Sequence, residues 1–226
     1  MEKVQTVLGD NTTDGLEFTL VSEHLTAGFP GYDWDNTSFD RTKELASAVV
    51  KLKEIKSLAV SSFVDPCPME LGRDPEFAAE CANKSGLNVT IATEQYNEAL
   101  GIPSHFRSLS ADAIAEVFVR EITDGIGNTG IKAGLIKTVT GGIPGLTETA
   151  TSIGLHEETY MRAAARAHKA TGISILCHND EFGPFGRETL EVFEEEGVDF
   201  NRVMIGHACG VGDMRYCFDI LERGRE

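Results

Sequence analysis

Long hydrophobic runs are missing from this sequence, and so is any cysteine pair of the CxxC type. No apolar stretch approaches the roughly 20 residues that a membrane-spanning helix needs, and the first residues lack a basic segment followed by a hydrophobic one. We therefore expect a cytoplasmic protein that does not enter a membrane. The five cysteines are an odd number, which argues against both a disulfide framework and a thiolate zinc site. Most of them are expected to be small buried residues.

Basic residues are also scarce relative to acidic ones. The 226 residues include 36 acidic and 20 basic side chains, which gives a formal net charge of −16. Such a surface repels the phosphates of nucleic acids and anionic membranes, so neither is an expected partner. The composition, 41% hydrophobic and 25% charged, is typical of a globular chain large enough to bury a core. Because no linker or low-complexity segment interrupts it, we predict a single domain over residues 1–226.

Short apolar runs alternate with amphipathic helical stretches from residue 18 to the end. The strand candidates are rich in Val, Ile or Thr and cover residues 18–23, 58–64, 88–93, 133–139, 173–178 and 202–207. The helical stretches, several of which begin at Asp or Ser and end at Gly, cover residues 40–56, 75–85, 110–124, 157–171, 186–196 and 212–223. Residues 1–17 are predicted to form a small hairpin and residues 140–156 a long loop. The repeated unit of one strand and one helix predicts an α/β fold with a parallel sheet.

Six such units fit both an open doubly wound sheet and a closed (β/α)8 barrel. The barrel is favoured because polar residues stand at the ends of several strands, and such residues converge on one face of a barrel. A complete barrel takes about 250 residues and eight units. We therefore predict a TIM-barrel type fold that is truncated to about six βα units, with strands seven and eight missing.

A glycine-rich string at residues 125–130, GIGNTG, matches the GxGxxG pattern of dinucleotide-binding proteins. That pattern requires a preceding strand and a following helix, so that a pyrophosphate can lie at the helix N-terminus. Here the string follows a predicted helix and leads into a predicted strand. We interpret it as a helix stop and a turn, and we predict no dinucleotide site.

Four polar residues end or interrupt the apolar runs: His24, Lys137, His178 and His207. Lys137 lies inside AGLIKTV, where burial favours a neutral and therefore nucleophilic amine. Such a lysine could reach the barrel rim as a structural residue, form a Schiff base, or bind carbon dioxide as a carbamate that bridges two metals. His178 and His207 end the fifth and sixth strands, where two imidazoles can share one metal ion. Together with the lysine they favour a metal site.

Several segments, in this order, resemble the phosphotriesterase-related amidohydrolases, a family of (β/α)8 metal-dependent hydrolases that includes organophosphate hydrolases and phosphotriesterase-like lactonases. The segments are VQTVLG, FTLVSEHL, GRDPEFAAECANKSG, FVREITDGIGNTGIKAGLIKTVTG, AAARAHKATG and EEEGVDFNRVMIGH. The resemblance extends over nearly the whole chain. It implies a hydrolase of ester bonds, in lactones or phosphotriesters, that uses zinc or another divalent metal and attacks a small-molecule substrate with a metal-held hydroxide. The sequence leaves open whether the chain forms a homodimer.

The resemblance also implies roles for individual residues. Lys137 corresponds to the carboxylated lysine, a carbamate formed with carbon dioxide that bridges the metals, and His178 and His207 correspond to the ligands of the more exposed metal. His24 corresponds to the second histidine of the His-x-His pair that binds the buried metal. Tyr96 corresponds to the tyrosine that lactonase-type members place near the hydroxide, which favours lactones as substrates.

Two departures from the family pattern predict impaired activity. Ser22 stands where the first histidine of the pair belongs, and a neutral hydroxyl is a poor substitute for imidazole. The aspartate that ends the eighth strand has no counterpart before Glu226. At most one well-formed metal site is therefore expected. The alternatives are a non-catalytic protein that binds a ligand or forms oligomers, and a Schiff-base lyase that uses Lys137, which would leave His178 and His207 unexplained.

Overall fold

Residues 3–142, 152–180 and 183–224 are described by the computed structural model. They contain two compact units. The first comprises Met1–Glu94 and Arg120–Leu135, and the second comprises Gln95–Val119 and Ile136–Glu226. The single domain predicted from the sequence stays a prediction.

The first unit opens with a hairpin and continues with strands and helices in alternation. Its elements are β1 (Lys3–Thr6), β2 (Gly9–Thr12), α1 (Thr13–Leu16), β3 (Thr19–Val21), α2 (Tyr32–Asp35), α3 (Arg41–Ser57), β4 (Ser62–Asp65), α4 (Pro75–Ser85) and β5 (Asn88–Glu94). Strands β1 and β2 pair antiparallel, which confirms the predicted hairpin. Strands β3, β4 and β5 pair in parallel, with Leu20 opposite Phe63 and Val64 opposite Thr90.

Local sequence signals explain where the helices of the first unit begin and end. The side chain of Asp40 accepts hydrogen bonds from two backbone amides at the start of α3, and Asp74 does the same for Phe77 at the start of α4. Gly86 ends α4 with a φ of 74°, a left-handed conformation that glycine adopts without steric cost. The helix predicted over residues 75–85 therefore has the observed bounds.

The second unit carries the remaining elements. They are α5 (Ser104–Arg107), α6 (Ala111–Thr123), β6 (Leu135–Val139), α7 (Leu155–Thr171), β7 (Ile175–His178), α8 (Gly186–Glu196), β8 (Val203–Gly206) and α9 (Met214–Arg223), and the boundary between the units falls inside α6 and after the first residue of β6. Strands β6, β7 and β8 pair in parallel, with Val139 opposite His178 and His178 opposite Gly206. Buried side chains of Phe118, Ile136 and Phe193 contribute to the core of this unit.

All six predicted strands and the helices between them are confirmed, with differences at their ends. The strand predicted from residue 58 begins at Ser62, because Leu58 caps α3 and Ala59 adopts a left-handed conformation with a φ of 69°. The predicted loop over residues 140–156 is too long at its end, since α7 begins at Leu155, and residues 143–151 lie outside the described part of the chain.

The glycine string at residues 125–130 is a turn that connects α6 to β6. Its glycines Gly125, Gly127 and Gly130 have φ values of 124°, 57° and 70°. The amide of Ile126 donates to the carbonyl of Ile131, which closes the turn. The string therefore does not form the strand-to-helix turn of a dinucleotide site. Among the described residues, no helix combines the length and apolar character required to cross a bilayer.

Candidate metal centre

Lys137 is the central residue of β6 and is almost completely buried, with 1% of its surface exposed. In the register of the parallel strands, Lys137 pairs with Leu176 and Val139 pairs with His178. Paired residues of neighbouring strands project to the same face of a sheet, and so do residues two apart on one strand. Lys137 and His178 therefore share one face.

The two histidines of the second unit lie next to each other. His178 is the last residue of β7, and His207 directly follows β8. Their ring centroids are 4.2 Å apart and the rings are inclined by 59°. His207 is held at a φ of 59°, a left-handed conformation that is uncommon for residues other than glycine and that is often found at functional sites. The predicted pair of imidazoles is thus brought together.

A divalent metal ion fits this group of residues. Two imidazoles whose centroids are 4.2 Å apart are close enough to bind one ion through one nitrogen each. Lys137 lies on the same face as His178, and carboxylation would give it an oxygen ligand of the type that zinc, cobalt, manganese and iron accept. We call Lys137, His178 and His207 the lysine–histidine group.

A second group of potential ligands lies in the first unit and contains His24. Its Nδ1 atom is 3.3 Å from Oδ1 of Asp65, the last residue of β4. Asp65 also accepts hydrogen bonds from the amides of Leu25 at 3.2 Å and Cys67 at 3.0 Å. Ligand atoms of His24, Asp65 and Cys67 all lie within 4.8 Å of one another. We call these three residues the His24 cluster.

Two further residues from the sequence prediction have clear positions in the chain. Ser22, the predicted counterpart of the first histidine of the family motif, directly follows β3 and has a left-handed φ of 71°. Tyr96 follows β5 by two residues, belongs to the second unit and is partly buried. The role predicted for Tyr96 stays a prediction.

Asp65 and Cys67 were not predicted from the sequence as neighbours of His24. Asp65 ends β4 in the same manner as His178 ends β7, so its position at a strand end was a signal for it in the sequence. Nothing in the sequence distinguishes Cys67 from the other cysteines, because a single buried cysteine is usually a small apolar residue. Its position near His24 depends on the fold of the segment after β3.

A buried carboxylate connects three segments of the second unit and was also missed. Glu157 in α7 accepts hydrogen bonds from the amides of Glu98 at 3.2 Å, Gly154 at 3.0 Å and Gly141 at 3.4 Å. Desolvation by burial raises the pKa of Glu157, and these three hydrogen bonds partly offset the rise. Glu157 therefore ties the turn after β6 and the segment after Tyr96 to the start of α7.

An α/β chain with a buried lysine and two adjacent histidines at the ends of parallel strands has polar groups where barrel-type enzymes bind metals and substrates. The sequence profile of the phosphotriesterase family matches residues 2–225, and the chain belongs to this family. A phosphotriesterase homology protein of Mycobacterium tuberculosis is 33% identical over 99% of this chain and 69% of its own length. An aryldialkylphosphatase of Saccharolobus solfataricus is 32% identical over 92% of this chain and 63% of its own length.

A solved structure confirms the fold class. It comes from work on the molecular engineering of organophosphate hydrolysis activity from a weak promiscuous lactonase template, and it superposes with a TM-score of 0.91 at 33% sequence identity. The match covers 99% of this chain and 68% of that one, so the chain spans about two thirds of the proteins it resembles. The prediction of an α/β fold of the TIM-barrel type is confirmed, and so is the resemblance to the phosphotriesterase family.

Proposed function

We propose that this chain is a metal-dependent hydrolase that acts on the ester bonds of lactones or phosphotriesters. Membership of the phosphotriesterase family supports the reaction class. The names of two similar proteins support the substrate classes, since one is an aryldialkylphosphatase and the other derives from a lactonase template. Both proteins are longer than this chain, which covers 63% and 68% of them, so their activities are only proposed for it.

The observation that carries the proposal is the lysine–histidine group. His178 and His207 are placed side by side by neighbouring strands, with ring centroids 4.2 Å apart, and the buried Lys137 lies on the next strand. Neutral imidazoles bind zinc and related ions through a ring nitrogen. A bound divalent ion would polarise the carbonyl or phosphoryl oxygen and acidify water for attack on the ester.

Lys137 takes part as a carbamate in this proposal. A neutral amine adds to carbon dioxide and loses a proton, which converts a cationic side chain into an anionic oxygen ligand. Burial supports this conversion, because an ammonium that is 1% exposed is poorly solvated by water, whereas a carbamate can be compensated by the ion it binds. Tyr96 would donate a hydrogen bond from its phenol to an oxygen of the substrate and so orient it.

Ser22 is expected to lower the activity relative to a chain with a complete His-x-His pair. Its hydroxyl offers a weaker metal ligand than imidazole. The left-handed backbone at Ser22 is compatible with histidine, which is among the residues enriched in that conformation. Ser22→His should therefore be accommodated and should raise both metal affinity and turnover.

The test combines metal analysis with hydrolysis assays on a lactone and an aryl phosphotriester. The purified chain should bind a divalent ion and turn over at least one of the two substrates, and Lys137→Met and His178→Ala should each lose ion and turnover. His105→Ala is the matched control, because His105 is an exposed histidine of the same unit that lies on the short helix α5. A folded chain that binds an ion without turnover would support the non-catalytic alternative, and a folded chain without any ion would refute the proposal.

A further inference from the structure

A buried carboxylate of α7 connects two segments that the proposed function uses. We propose that Glu157 is a positioning residue for the hydrolysis, which holds Tyr96 at a fixed place relative to the strand of Lys137. This inference rests on the proposed function and deepens it, because it names a residue that governs how the substrate is oriented through another side chain. All three residues belong to the second unit.

Glu157 lies in the first turn of α7 and accepts hydrogen bonds from two other segments of the chain. Only 3% of its surface is exposed. One carboxylate oxygen accepts from the amide of Glu98 at 3.2 Å, and the other accepts from the amides of Gly154 at 3.0 Å and Gly141 at 3.4 Å. Gly154 directly precedes α7, whereas Glu98 and Gly141 lie in the segments that follow β5 and β6. A single carboxylate therefore joins the segments after two strands.

The segment that contains Tyr96 is held to the start of α7 by hydrogen bonds in both directions. The amide of Glu98 donates to Glu157, and the carboxylate of Glu98 accepts from the amide of His156 at 3.2 Å. The buried side chain of Asn97 caps a short helical turn that begins at Glu98. Because Tyr96 directly precedes this turn, the position of its backbone depends on the contact between Glu98 and Glu157.

The turn after β6 is the fixed end of this arrangement. Gly141 has a φ of 88°, and a Cβ atom at this position would lie 2.4 Å from the Cβ of Asp180, so that only glycine fits. The amide of the next glycine donates to the carboxylate of Asp180 at 3.4 Å. Asp180 follows His178 by two residues. Glu157 thus holds the segment of Tyr96 to a turn that packs beside the end of β7.

The two oxygens of a carboxylate suit this position because three amides donate to them. Glutamine offers one acceptor oxygen and an NH2 group that only donates. Glu157→Gln keeps the size and shape of the side chain but sets an N–H group against at least one of the three amides. Burial raises the pKa of Glu157, so an uncharged side chain is compatible with folding at this position. The variant should therefore fold and bind its metal ion, while the segment of Tyr96 shifts.

The first test compares the hydrolysis kinetics of Glu157→Gln, Tyr96→Phe and the combined variant. We expect kcat/KM of Glu157→Gln to fall about 10- to 100-fold, mainly through kcat and with unchanged ion content, which is the range for partners that orient a functional side chain. The combined variant should lose little beyond Tyr96→Phe alone, because Glu157 acts through Tyr96. Glu158→Gln is the matched control, since Glu158 is the next residue of α7, is 41% exposed and pairs with Arg162. Losses that multiply in the combined variant, or loss of the ion from Glu157→Gln, would overturn the inference.

A second measurement does not depend on catalysis and so separates failure of this inference from failure of the proposed hydrolase. In a chain labelled with fluorotyrosine, the fluorine NMR signal of Tyr96 is identified by its absence from Tyr96→Phe. We expect this signal to shift in Glu157→Gln and to stay in place in Glu158→Gln. A shift in a chain without turnover would refute the hydrolase while supporting the positioning of Tyr96. An unchanged signal in Glu157→Gln would overturn the inference even in an active enzyme.

Discussion

The pair formed by Arg73 and Glu121 offers the sharpest test of how the first unit is stabilised. Two parallel hydrogen bonds of 2.8 and 2.9 Å join the guanidinium to the carboxylate, and their side chains are only 6% and 9% exposed. Arg73 also donates to the carbonyl of Ala92 in β5 at 2.8 Å. The pair thus connects the start of α4, the end of α6 and the strand that leads to Tyr96.

Arg73→Ala leaves the carboxylate of Glu121 buried without its partner. Breaking a buried ion pair in this way costs about 3–5 kcal/mol of unfolding free energy. At about 2–4 °C per kcal/mol for a chain of this size, the melting temperature should fall by about 6–20 °C. Urea titration followed by circular dichroism measures the free energy, and a thermal scan measures the shift in melting temperature.

Arg41 provides the control for this prediction. It pairs with Glu80 at 2.7 Å, but both side chains are about 40% exposed, so Arg41→Ala should cost less than about 1 kcal/mol. Replacing the buried pair by Arg73→Met/Glu121→Met should recover most of the loss, because two apolar residues leave no uncompensated charge. Equal losses for Arg73→Ala and Arg41→Ala would refute the role assigned to burial.

Three other measurements test the second unit. Because burial raises the pKa of Glu157, the native chain holds this proton more tightly than the unfolded chain, and the stability that Glu157 contributes falls as the pH rises above 4.5. In urea titrations the advantage of the unaltered chain over Glu157→Gln should therefore shrink between pH 4.5 and 7, and a growing advantage would contradict the direction of the shift. Iodoacetamide should alkylate the exposed Cys209 before Cys177, since burial raises the pKa of Cys177 to about 12, and mass spectrometry of the native chain would expose a reversed order. Zinc at 100 times its dissociation constant should raise the unfolding free energy by about 2.7 kcal/mol per site, and part of this gain should disappear in His178→Ala. An undiminished gain in that variant would argue against the lysine–histidine group as a metal site.

The order of strands and helices followed from the sequence because each local signal agreed with the fold. Asp74 and Gly86 bracket α4 at the predicted residues, and the strand that contains Lys137 was recognisable from its apolar neighbours. Strand ends were less accurate. Residues 58–61 are as apolar as a strand, but only the paired residues from Ser62 onward belong to β4.

The candidate site was predictable where strand pairing positions the ligands. His178 ends β7 and His207 directly follows β8, so the sequence positions of these neighbouring strands suffice to bring the two residues together. Backbone hydrogen bonds between paired strands fix which residues lie opposite each other, and these bonds do not depend on the side chains. Short apolar runs in the sequence are enough to locate such strands.

His24 is not positioned by strand pairing alone, and this explains why its neighbours could not be predicted. It lies three residues beyond the end of β3 and directly after Glu23, whose amide donates to the carbonyl of Val64 in β4 at 3.2 Å. Its position is set by Asp65, which accepts from the ring of His24 and from the amide of Leu25. A carboxylate that orients a histidine commonly fixes which ring nitrogen remains for a metal. The first unit therefore positions His24 through side-chain contacts between distant segments, and only the folded chain reveals that Asp65 and Cys67 lie beside it.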